Sequence, residues 1–192
     1  VKDKIMKAFD DSLDVKRRFA EQHIELIEET SRLIADRLSS GKKLLLFGNG
    51  GSSTDASHIA AEFINRFKME RPALPALALN TDMAVITSIS NDYDFSEIFT
   101  RQLKALAQEG DVVMAISTSG NSPNVINAIE TAKKKNLVVI GLTGHDGGQM
   151  ASLADFIFKV PSADTPRIQE THITLGHIIC QMVEEILFKF PL

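Results

Sequence analysis

His58 and Glu62 stand four residues apart, so an imidazole and a carboxylate share one face of any helix that carries them. Pairs at this spacing commonly ligate a metal ion, and they also occur simply as neighbours on a solvated face. Near the other end of the chain Gln169 and His177 differ by eight residues, about 80° of rotation and about 12 Å of rise along a helix. Two long side chains leaning toward each other from those positions could meet at one ion. His172 lies about 140° around the helix from His177 and is left out of that group. The plainer readings are a satisfied helix histidine for His177 and a surface amide for Gln169.

Two further segments are suited to anions. Gly48-Asn49-Gly50-Gly51-Ser52-Ser53 follows an apolar run and leads into a helical pattern. Glycines let the backbone approach a ligand and take positive φ, and the helix N-terminus behind them offers free N–H groups and a positive dipole end. A tight strand-to-helix turn is the simpler alternative. G-x-G-x-x-G would require glycine at position 53, where Ser53 stands, and no Gly-Lys-Ser/Thr follows, so neither the dinucleotide fingerprint nor the P-loop is present. The second segment is Ser117-Thr118-Ser119-Gly120-Asn121-Ser122-Pro123. Ser122 fits an N-cap and Pro123 the first helical residue. Capping accounts for Ser122 and leaves the hydroxyls of Ser117, Thr118 and Ser119 free for phosphate oxygens. Hydroxyls with few cations suit a small phosphomonoester better than a nucleotide.

The elements that would position these residues follow from apolar periodicity. Residues 3–40 read as one long helix, ended by Ser39-Ser40-Gly41, an arm of the kind that packs against another subunit. Short apolar runs then alternate with helical patterns. Strands are expected at 44–47, 77–79, 112–116, 137–141 and 156–160. Helices are expected at 55–67, 83–107, 124–135 and 165–188, with a turn near Gly148. Continuous apolar strands imply burial on both faces, hence a parallel sheet with helices on each side. Right-handed crossovers make it a doubly wound α/β fold with five strands, and ligands sit at the C-terminal ends of such strands. A single domain over 1–192 is expected, with an N-terminal helical arm (1–40) and an α/β core (41–192).

Composition narrows the class. The chain has 192 residues, 44% hydrophobic and 24% charged, with a net charge of −4. That is the profile of a soluble globular protein and lacks the basic stripe of nucleic-acid binders. The basic runs Lys16-Arg17-Arg18 and Lys133-Lys134-Lys135 read as solvated helix faces. Cys180, the one cysteine, reads as a small core residue in a reducing compartment. With no membrane span and a charged helix at the start of the chain, a cytoplasmic protein is expected.

The GNGGSS and STSGNSPN loops resemble those of the sugar-isomerase (SIS) domain family, and within it the bacterial phosphoheptose isomerases. The similarity spans nearly the whole chain, including the long first helix, Asn91-Asp92-Tyr93 and the Arg167-Ile168-Gln169-Glu170 start of the last helix. The resemblance implies conversion of sedoheptulose 7-phosphate to D-glycero-D-manno-heptose 7-phosphate through an enediol. It implies zinc, one exchangeable ion per subunit, held by His58, Glu62, Gln169 and His177, and an acid/base pair of Glu62 and His177. Zinc accepts imidazole and carboxylate ligands, and a metal there would polarise the carbonyl. Substrate contacts are implied at Asn49, Gly50, Gly51, Ser52, Glu62, Asn91, Asp92, Ser117, Thr118, Ser119, Ser122 and Gln169. Asn91 and Asp92 would equally suit a helix end. A homotetramer with sites at subunit boundaries is implied, with no nucleic-acid or membrane partner. Pro166 departs from relatives that carry an acidic residue before the arginine, which leaves Asp164 or Thr165 to take that role or a substrate hydrogen bond unmade. The rival reading is a non-catalytic platform: the same family includes a tetrameric partner of the bacterial replication initiator, and sugar-phosphate sensors.

Overall fold

A computed structural model describes residues 1–189. The elements run α1 (Lys2–Ser39), β1 (Leu44–Gly48), α2 (Gly51–Ile64), β2 (Ala76–Ala78), α3 (Met83–Asp92), α4 (Ile98–Leu106), β3 (Val112–Ile116), α5 (Pro123–Lys134), β4 (Val138–Gly144), α6 (Met150–Leu153), β5 (Phe156–Val160) and α7 (Thr165–Phe188). All strand pairings are parallel and the order is β2-β1-β3-β4-β5. This is the doubly wound sheet expected from the continuous apolar runs.

The strand side chains divide between two cores. Leu44 and Leu46 of β1 face a layer containing α1, α2 and α7, where Ile34, Ile59 and Ile179 are fully buried. Leu45 and Phe47 face the opposite layer of α3, α4, α5 and α6, and the Phe47 and Phe99 rings stack 4.8 Å apart. Each strand residue is therefore buried whichever way it points, and alternation disappears from the sequence.

The chain leaves β1 toward the edge strand β2 and then crosses back to β3 on the other side of β1. The switch point thus lies between β1 and β3, where a crevice opens at the C-terminal strand ends. Gly48 pairs with Ile116 in register, so the glycine loop and the serine loop emerge side by side.

Several boundaries differ from the periodicity, α2 ending at Ile64 rather than 67 among them. The pattern over 83–107 is broken at Tyr93-Asp94: the Asp94 carboxylate accepts from Ser96 N at 2.8 Å and starts a 3-10 turn, Phe95–Glu97. A short aspartate side chain offering its own acceptor competes with helix continuation, and apolar period alone does not register that. α2 begins at Gly51 rather than Asp55, because the glycine loop itself turns into the helix. β4 continues to Gly144, through a threonine and glycine that lack apolar signal. α1 runs for 38 residues, about 57 Å. Its second half packs on α7, while Ile5, Met6, Phe9 and Leu13 on its first half are exposed.

Candidate functional site

The two loops at the switch point form one cradle. A side chain at Gly48 would meet Ile116 O and Ser52 Cβ at 2.8 Å, so only glycine lets β1, β3 and the start of α2 come this close. Gly50, the residue before α2, has φ +56°. The loops are tied by a reciprocal amide pair. Asn49 Nδ2 donates to Asn124 Oδ1 at 2.9 Å and Asn124 Nδ2 to Asn49 Oδ1 at 2.8 Å. Asn124 Oδ1 also accepts from Val125 N.

Across this tie the Ser117 hydroxyl lies 3.1 Å from that of Ser122 and 3.5 Å from that of Ser119. Ser122 is the N-cap of α5 by position, yet its side chain makes no capping bond. Its hydroxyl turns to the serine cluster instead. Thr118 is partly buried, Ser119 exposed and Ser52 buried at the start of α2. Two helix N-termini, α2 and α5, therefore converge on one hydroxyl-lined crevice. Beside it opens a cleft of about 160 Å³ bordered by Gly48, Asn49, Gly50, Asn80 and Phe95.

The second centre lies farther along α2. His58 Nε2 is 3.1 Å from Glu62 Oε1, and His177 Nε2 is 3.4 Å from His58 Nε2. The three donor atoms all lie within 4.8 Å of one another. Two imidazole nitrogens facing each other beside a carboxylate oxygen form a donor set that a cation would hold together. Three side chains from two helices thus meet the donor requirement of a zinc site. Phe67 stacks on the outer face of His177, centroids 5.5 Å apart.

Helices α2 and α7 run side by side in the same direction. Gln169 lies against Gly51, Gly176 against Ile59, and His177 against His58. Gln169 stands eight residues before His177 on α7, about 12 Å of helix rise, and its side chain borders the glycine loop at Gly51.

Asn91 and Asp92 form the exposed end of α3 and bond to each other at 2.9 Å. Neither borders the cleft beside the glycine loop. Pro166 sits in the first turn of α7, where its missing N–H costs nothing. Arg167 beside it pairs with Glu170 at 2.6 Å. His23 is partly buried against Phe19 and Phe158, not free on the surface. His145 takes φ +50° in the loop after β4. Burial pushes the Cys180 thiol up to about 12, with the Glu62 charge adding to it, so it is an inert core group.

Several contributors carry no motif in the sequence. Asn124 reads as an ordinary first-turn residue, and only its pairing with Asn49 reveals its role. Burial pushes the Asp55 carboxyl up to about 6, His58 pulling the other way. Its Oδ2 has no hydrogen-bond partner among the described residues. Arg71 and Glu184 form a buried ion pair below the triad.

The SIS domain family matches residues 9–144, a span holding both loops, His58 and Glu62. The phosphoheptose isomerase of Thermodesulfovibrio yellowstonii is 61% identical over 191 residues, covering all of this chain and 95% of its own. That of Aneurinibacillus thermoaerophilus is 49% identical, covering 97% and 96%. Among solved structures, a phosphoheptose isomerase from Neisseria gonorrhoeae superposes with a TM-score of 0.91 at 38% identity, covering 96% of this chain and 99% of that one.

Proposed function

The chain belongs to the SIS domain family and, within it, to the phosphoheptose isomerases, and from that premise we propose that it interconverts sedoheptulose 7-phosphate and D-glycero-D-manno-heptose 7-phosphate. One observation carries the reading: Glu62 and His177 meet on helices that both border the loop cradle, about two turns along α7 from Gln169 and about three along α2 from Gly51. An extended seven-carbon chain with phosphate on its last carbon spans such a separation. The phosphate is assigned to the crevice between the loops. The N-termini of α2 and α5 and the hydroxyls of Ser117, Thr118, Ser119 and Ser122 would bind it. Asn49, Gly50, Gly51, Ser52 and Gln169 then line the path of the sugar, and Asn91 and Asp92 would reach it only across a subunit boundary.

Moving the carbonyl between C1 and C2 needs a base, an acid and a means to bear enediolate charge. Glu62 and His177 are the groups placed for proton transfer. Glu62 offers Oε1 to His58, and Oε2 remains for the proton. His58, Glu62 and His177, joined by Gln169 from α7, are the residues that would hold a zinc ion, one per subunit. When bound, it supplies Lewis-acid polarisation of the substrate carbonyl. In this reading residues 1–192 act as one cytoplasmic domain, assembled as a homotetramer, and the product enters the ADP-heptose route to lipopolysaccharide. The exposed apolar face of α1 supports assembly. So does a groove of about 500 Å³ between α1 and α7, lined by Ile24, Ile27, Ile178 and Ile186.

The test is conversion of sedoheptulose 7-phosphate by the purified protein, followed by NMR. Heptose product that vanishes with a chelator and returns with zinc is the expected result. Intact protein that yields no heptose 7-phosphate with zinc supplied would overturn the assignment.

A further inference from the structure

The segment joining α2 to β2 is gripped by one carboxylate. Glu184, on α7 two turns beyond His177, accepts from three successive backbone N–H groups. These are Phe67 at 3.0 Å, Lys68 at 2.8 Å and Met69 at 3.1 Å. Arg71 Nε donates to it as well, at 3.1 Å. The guanidinium then donates onward to the carbonyls of Glu62 at 2.8 Å and Phe63 at 2.7 Å, and to Pro72 O at 3.1 Å. Both side chains are almost fully buried, 2% and 1% exposed.

A buried ion pair is weak support for stability, since an apolar pair of similar volume often serves as well. What an apolar pair could not supply is the pattern of bonds. The guanidinium fork satisfies the carbonyls left open at the C-terminal turn of α2, the turn that carries Glu62. The carboxylate fixes the backbone at Phe67, whose ring covers His177. Lys68, in the same grip, reaches back to Gln181 on α7 at 2.7 Å. The pair thus ties together the three pieces of chain around the triad.

We propose that Arg71 and Glu184 are positioning residues that hold Glu62 and His177 in register with each other. This rests on the assignment of those two as the acid/base pair. It places the determinant of their alignment in buried groups that touch no substrate.

Arg71→Lys keeps the charge and loses the fork. Glu184→Gln keeps the shape and turns an amide N–H₂ toward N–H donors. Each is compared with the unaltered protein for kcat, KM and the His177 ring-proton signals, the last recorded without substrate and with a chelator present. Both variants are expected to lose about 10–100-fold in kcat. KM should stay within about twofold, because the phosphate cradle lies at the other end of α2. The His177 signals should move as Phe67 leaves its ring. Loss that merely tracks the fraction of folded protein, with kcat per folded site and the His177 signals unchanged, overturns the proposal. Should either buried variant not fold, Phe67→Leu decides: it leaves the ion pair intact, and an unaltered kcat with it overturns the proposal. The His177 signals are read without turnover, so a protein inactive on sedoheptulose 7-phosphate would sink the functional assignment and still test the positioning.

Discussion

Ser119 shows how a side chain departs from what its neighbours imply. Its hydroxyl is exposed at the crevice, 3.5 Å from Ser117 and accepting from Asn121 N at 3.2 Å. A hydrogen bond to a charged oxygen is worth about 1.5–3 kcal/mol. Ser119→Ala should therefore raise KM for the phosphorylated sugar by roughly tenfold or more, with kcat little changed; steady-state kinetics checks it, and an unchanged KM would move the phosphate elsewhere. His172 supplies a prediction of a different kind. Its Nε2 lies 3.1 Å from Thr143 O, a pure acceptor, so Nε2 carries the proton and the buried Nδ1 has no partner among the described residues. Burial lowers its pKa to about 4. A base depressed in the folded state takes up its proton on unfolding. Stability is then complete above pH 6.5 and falls as pH drops from 6.5 to 4, by up to about 3 kcal/mol. His172→Gln should remove that dependence in denaturation measured across the window. The residue types at His58, Glu62 and His177 were legible in the sequence. Asn124 and the Arg71–Glu184 pair were not, because each acts through a partner 75 or 113 positions away that no local pattern names.

At the scale of elements, apolar runs located every strand, since a strand buried on both faces leaves an uninterrupted signal. The misses came where polar side chains set the boundary, as with Asp94 between the two halves of the 83–107 pattern. The serine loop shows the same dependence on local chemistry. Gly120 has φ +64°, and a Cβ there would run into the Gly147 carbonyl. Gly120→Ala must shift the serine loop or the loop after β4. It should cost more than about 1 kcal/mol from the left-handed conformation alone and weaken phosphate-sugar binding together with stability. Calorimetry and a binding isotherm would show both, and an unperturbed loop would show neither. The placement of Gln169 relative to His177 follows from the packing of α7 on α2. A straight helix keeps residues eight apart at separate levels, and α2 presents Gly51 at one level and His58 at the other.

At the scale of the whole molecule, the first half of α1 is an arm with an apolar stripe, Phe9 64% and Leu13 63% exposed. If this stripe is the subunit contact, Phe9→Glu with Leu13→Glu should lower the mass seen by light scattering and reduce turnover with it. An unchanged mass would assign the stripe elsewhere. The arm, the sheet and the switch-point loops were all legible as pattern. The way α2 and α7 lie parallel was not, and that packing alone brings His58, Glu62 and His177 within reach of one another. The role of Glu62 is tested by conversion of sedoheptulose 7-phosphate, followed by NMR, by the unaltered protein and by Glu62→Gln. The first should give a heptose 7-phosphate product and the second should lose about 100-fold or more in kcat, with substrate still bound. A folded Glu62→Gln protein that turns over at the unaltered rate would contradict it.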